Sequence, residues 1–213
     1  DLTMAGSIDL VEDYDRTDDD DDDDLDGPLA VGENRIGIHL LNGGTHTGDI
    51  DLQTGSRLTI EGNESAAVLL ESALAGAFTL DGLVSVTGED SVGIEIDNGV
   101  TDDVLISANV TVRGANARGI SLDGTVGGNL TIESAIVGSG FTSSSVSNFI
   151  DPLSIDEDTS PLAERIDAED LNDNGTVVAI GGNLTNGFLI NGTVDDFISE
   201  EDSEGYPPVK VQA

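Results

Sequence analysis

The sequence predicts an all-β protein: a right-handed parallel β-solenoid with three short strands per coil of about 26 residues. Three observations carry that expectation. Short apolar–polar alternations recur with no helical period. Glycines return at a constant spacing, and pairs of apolar residues fall into columns at nearly the same spacing.

The glycine column is the most regular. Gly62, Gly88, Gly114 and Gly140 close "LTIEG", "VSVTG", "VTVRG" and "IVGSG", and each stands 26 residues after the last. A second column leads each unit: Ile38/Leu40, Val68/Leu70, Ile94/Ile96 and Ile120/Leu122, spaced 30, 26 and 26. A third lies between: Ile50/Leu52, Phe78/Leu80, Val104/Ile106 and Leu130/Ile132, spaced 28, 26 and 26. One coil cannot cover its own apolar side, whereas stacked coils can, each backbone pairing with the next about 4.8 Å along the axis. A β-sandwich also has many short strands, but it demands no constant period. The glycine column marks a tight corner that invites positive φ. Handedness follows from strand twist and crossover rules.

The repeat resumes after interruption. "GGNLT" at Gly181–Thr185 copies Gly127–Thr131, and Leu2–Leu10 aligns with Phe188–Phe197. This predicts about six coils, the first and last incomplete, in one solenoid segment over residues 1–213. Strand-like patterns at both ends suggest a piece of a longer chain. Acidic insertions are expected at 11–33, 141–176 and 195–208, all leaving one corner, where solenoids accept extra length at little entropic cost.

Charge narrows the function classes. Asp and Glu number 43 against 7 Lys and Arg, a net charge of −36, and 27 of the acidic residues lie in the three insertions. Such a field opposes nucleic acid and anionic membrane surfaces. Cysteine is absent, which excludes disulfides and thiol catalysis. No stretch reaches 18 apolar residues, so no membrane-inserting helix is expected.

Within the first insertion, "DDDLDGPLAVGE" has calcium-loop spacing. Asp22, Asp24 and Asp26 precede Gly27, Pro28 offers a carbonyl, and Glu33 stands at the twelfth position, able to close an oxygen shell bidentately. Asp170, Asn172 and Asn174 before Gly175 repeat the pattern, with Gly181 where the glutamate would be. The alternative is a solvated acidic loop, because seven consecutive aspartates match alternate-Asp spacing almost automatically. No helices are expected on either side, so only the loop chemistry would be shared with helix–loop–helix calcium proteins. Calcium is the one cofactor expected.

No catalytic residue is assigned. His39 alternates with Ile38 and Leu40 and should point outward; His46 sits in "NGGTHTG" and reads as surface. No nucleophile–base grouping, phosphate-binding loop or HExxH element occurs. The register does align Glu71, Asp97 and Asp123 beside an outward Glu95, and carboxylates on adjacent coils are what inverting hydrolysis of a polysaccharide requires. Such a column could also hold cations, and the simplest reading is a solvated turn, since no basic or aromatic residue is expected around it.

The segments "VGIEIDNGV", "LISANVTVRG", "GISLDGTVGGNLTIES" and "VVAIGGNLTNGFLINGTVDD" resemble the passenger regions of bacterial autotransporters, especially large repetitive ones of alphaproteobacteria. That resemblance implies secretion through an outer-membrane barrel and display at the bacterial cell surface. The function expected is a non-catalytic stalk, scaffold or adhesin segment. Its partners would be neighbouring coils of the parent chain or like subunits, and a surface receptor or glycan. A carbohydrate-active β-helix enzyme and a self-assembling surface-layer or filament subunit are the alternatives.

Overall fold

Period-two alternation leaves one side of each strand apolar, and that side must be covered. Here the coils cover one another. The computed structural model describes residues 1–11, 30, 32–139 and 176–197, and among them are strands and turns but no helix. Strands β1 (Leu2–Met4) and β2 (Ser7–Leu10) form a partial coil. The first complete coil holds β3 (Ile36–Leu40), β4 (Thr45–Thr47) and β5 (Ile50–Glu61). The second holds β6 (Ala66–Leu70), β7 (Ala73–Ala75) and β8 (Phe78–Thr87). The third is β9 (Val92–Ile96), β10 (Val104–Ile106) and β11 (Asn109–Arg113). The fourth is β12 (Arg118–Leu122), β13 (Asn129–Ile132) and β14 (Ile136–Ser139). Beyond residues 140–175 follow β15 (Val178–Ile180), β16 (Gly187–Ile190) and β17 (Val194–Phe197).

Strand pairing between coils is parallel, in the register the columns predict. On the first face Ile38, Val68, Ile94, Ile120 and Val178 are successive partners. On the second, Leu2, Ile50, Phe78, Val104, Leu130 and Phe188 stack. On the third, Ile8, Leu58, Val84, Val110, Ile136 and Val194 do so. The count of about six coils needs a small correction. The uninterrupted winding makes about four turns of roughly 26 residues, with a partial coil before it and one further set of strands after it. The 195–208 segment starts inside β17, and its remainder lies outside the described residues.

Register also explains the irregular spacings. The first coil carries two extra residues between Leu40 and Thr45, and two more between Leu52 and Ser56, where the pairing slips. Its first-face spacing is therefore 30, its second-face spacing 28 and its third-face spacing 26.

A further interior column joins these three. Leu74, Val100, Val126 and Leu184 pair through single bridges at a corner, and His46 precedes them opposite Leu74. His46 is therefore not the surface residue expected. Its Nε2 is buried with no partner among the described residues. Single-residue bridges leave no alternation, so only the 26-residue interval joining Leu74, Val100 and Val126 marks this column in the sequence.

The glycine corner is built as anticipated at two positions. Gly88 and Gly114 have φ of 151° and 134°, whereas Gly62 turns without positive φ. Two residues on, Asn34, Glu64, Asp90 and Asn116 all adopt left-handed backbone, φ 49° to 57°. Side chains stitch this corner. Asn63 Nδ2 donates to the Ala30 carbonyl at 2.7 Å, and the Glu89 N–H donates to Asn63 Oδ1 at 2.9 Å. The Ser91 hydroxyl donates to the Gly62 carbonyl at 2.8 Å.

Candidate functional site

In β9 the inward residues are Ile94 and Ile96, so Glu95 between them faces out, with Leu69 and Ser121 as ladder partners. The chain bends just past each first-face strand, and Glu71, Asp97 and Asp123 occupy that bend in successive coils. Their backbone N–H groups donate to Leu40, Leu70 and Ile96 carbonyls at 2.9, 3.0 and 2.9 Å. Asn98 Nδ2 donates to the Glu71 carbonyl, continuing the stitching. The predicted carboxylate column is therefore assembled by the fold.

Its members are electrostatically unequal. Burial pushes the Glu95 carboxyl up, Asp97, Asp123 and Glu71 reinforce this, and Arg118 opposes it. Burial also raises Asp97, with Asp123 and Glu71 adding repulsion. Glu71 moves the other way: His39 Nε2 donates to its Oε2 at 2.8 Å, and the Asn42 N–H to the same oxygen at 3.3 Å, holding it below the usual range. The expectation that no basic residue attends this column is thus wrong. His39 does so by contact, from an outward position on the neighbouring strand, and Arg118 does so by its charge, from the exposed start of β12.

A pH dependence follows. Glu95 and Asp97 have folded pKa values above their unfolded ones, so the native state holds their protons more tightly. Their charged forms weaken the fold at neutral pH, and stability should climb as pH falls from 7 into the raised carboxylate range. Glu71 acts oppositely, contributing stability that disappears only below its depressed pKa. Urea midpoints should therefore rise as pH is lowered from 7 toward the carboxylate range, and Glu95→Gln should raise the midpoint at pH 7 and flatten the rise. An unchanged slope in Glu95→Gln would assign the effect to the overall net charge instead.

The calcium-type residues stand apart from this face. Glu33 is exposed, and its backbone bridges Asn63 at the glycine corner. Asp22, Asp24, Asp26, Pro28, Asp170, Asn172 and Asn174 lie outside the described residues. Among the described residues no group of three or more His, Asp or Glu is placed to hold a metal ion.

A cleft of about 530 Å³ lies on the second face, lined by residues of β8, β10, β13 and β16 and the adjoining turns. None of Glu71, Glu95, Asp97 or Asp123 borders it. Comparison with family models, with curated proteins and with solved structures returns no match. What is defined is a parallel β-solenoid with an outward carboxylate column on one face and a shallow cleft on another.

Proposed function

We propose that this chain is a non-catalytic scaffold or stalk segment of a secreted cell-surface protein, of the kind its resemblance to autotransporter passengers implies. The observation that carries this reading is the continuity of the aliphatic columns. The second-face column runs from Leu2 through Ile50, Phe78, Val104 and Leu130 to Phe188, so each coil serves chiefly to seat the next. Partners of this role are neighbouring coils of the parent chain or like subunits, and a receptor or glycan displayed opposite it.

Calcium belongs to the same proposal. Asp22, Asp24, Asp26, the Pro28 carbonyl and Glu33 would supply hard oxygen ligands, with Asp170, Asn172 and Asn174 as a weaker second set. Affinity would fall in the range of extracellular modules, Kd on the order of 10⁻⁴–10⁻³ M. The test is limited proteolysis of the 11–33 segment with and without about 1 mM Ca²⁺. Calcium should slow cleavage in the wild type and in Asp18→Asn, but not after Gly27→Ala with Glu33→Gln. Equal cleavage with and without calcium would remove the metal from the proposal.

A second reading, polysaccharide hydrolysis, draws on the raised Glu95 beside the depressed Glu71, since carboxylates driven apart in pKa can divide acid and base roles. Turnover of a soluble polysaccharide that vanishes in Asp97→Asn with Asp123→Asn would establish it over the scaffold. A third, a self-assembling subunit, draws on Leu2 and Phe188. Both are about 40% exposed, at 40% and 43%, while Phe78 in the same column is fully buried.

A further inference from the structure

We propose that the second-face cleft docks a basic, partly aliphatic segment of a partner protein. Two features converge there. The outward column of this face runs Thr79, Leu105, Thr131 and Leu189, and Leu189 is 55% exposed beside Phe188 at 43%. Leu189 gives the cleft an apolar end, whereas Phe188 beside it turns toward the inward column above Leu130. Its other walls carry the carboxylates of Asp103 and Glu133, with no Lys, Arg or His in the lining.

Both carboxylates are already oriented. Asp103 Oδ1 accepts the Asn129 backbone N–H at 2.7 Å and Asn129 Nδ2 at 3.2 Å. Glu133 Oε2 accepts the Ser107 hydroxyl at 3.2 Å. Among the described residues the second oxygen of each accepts no hydrogen bond, and a fixed acceptor loses less freedom on binding. One N–H of the Asn129 amide is taken by Asp103, leaving its other N–H and the Thr79 and Thr131 hydroxyls as donors, fewer than the acceptor sites of two carboxylates. Sugar hydroxyls need both, whereas ammonium and guanidinium groups need acceptors alone. A Lys or Arg flanked by an aliphatic residue meets the carboxylates and the apolar end together, and the surrounding negative field speeds its approach. Such a site would serve a scaffold or an enzyme, so its failure would leave the proposed function standing.

The competing effect is diffuse attraction of any cation to the whole acidic molecule, and the experiment separates the two. The probe is a labelled Lys-Leu-Lys-Leu-Lys peptide, with its Glu-Leu-Glu-Leu-Glu counterpart, titrated onto the full chain by fluorescence anisotropy at low and physiological salt. Leu189→Ser, at an exposed position, should weaken binding roughly tenfold, as loss of a partly covered leucine implies. Glu133→Gln should weaken it more than Asp90→Asn at the remote glycine corner, and should reduce the salt dependence. Circular dichroism checks that each variant is folded. Equal small losses in Glu133→Gln and Asp90→Asn, with no effect of Leu189→Ser, would overturn the proposal in favour of diffuse charge. So would absence of peptide binding, with or without binding of a neutral oligosaccharide such as maltohexaose.

Discussion

Phe78→Ala is expected to lower the unfolding free energy by about 3–5 kcal/mol, the range for removing a fully buried phenylalanine from a core. Among the described residues Phe78 is the largest of the fully buried side chains, and it sits between Ile50 and Val104 in the second-face column. No side chain above or below can follow it into the void, because each is fixed by its own rung. A domain with ordinary stability of 5–15 kcal/mol would lose a large share of it. Coils contact chiefly their neighbours, so the loss should also be local. Hydrogen exchange should accelerate most in β5, β8 and β10 and least in β16. Phe78→Leu keeps most of the volume and should cost less than about 1.5 kcal/mol. Uniform acceleration along the stack would show that the coils unfold as one unit. A cost below about 1 kcal/mol would mean that the column is not packed as described.

How much of this was legible in the sequence depends on how a residue announces its direction. Ile94, Glu95 and Ile96 announce it by alternation, and all three face as the pattern says. The stacking of Glu71, Asp97 and Asp123 was equally legible, since a constant period puts equivalent bends in line. Val100 and Val126 carry no such mark, because a lone inward residue between turns has no alternating neighbours. His46 differs: it centres the short strand β4 between exposed threonines, the glycines before and after it read as a turn, and its partner Leu74 places it on an interior column. Side-chain pairing was the least legible level. His39 meets Glu71 across strands and at a diagonal, which depends on side-chain direction and not on the period, and the Arg118 charge acts on Glu95 from farther off. The pKa shifts were unreadable for the same reason, because they arise from those contacts and from partial burial.

The glycine corner yields the other large effect. Gly88→Ala should cost about 3 kcal/mol or more, since two penalties of about 1–3 kcal/mol each fall on one position. The first is conformational: φ at Gly88 is 151°, which side chains with a Cβ rarely adopt. The second is spatial, because an added Cβ would stand 2.0 Å from the Gly62 carbonyl oxygen. That oxygen belongs to the coil before and is held in place by the Ser91 hydroxyl, so it cannot yield without opening the corner. Two other glycines separate the terms. Gly55 has φ of 89° and nothing within 4 Å of the added Cβ, so Gly55→Ala should pay the conformational penalty alone. Gly44 has neither constraint, and Gly44→Ala should be neutral or should stabilise by up to about 1 kcal/mol through the unfolded chain. The expected order of urea midpoints is Gly44→Ala, then Gly55→Ala, then Gly88→Ala. A Gly88→Ala variant no worse than Gly55→Ala would mean that successive corners do not stack carbonyl against glycine. The interval of 26 would then reflect turn preference and not contact between coils.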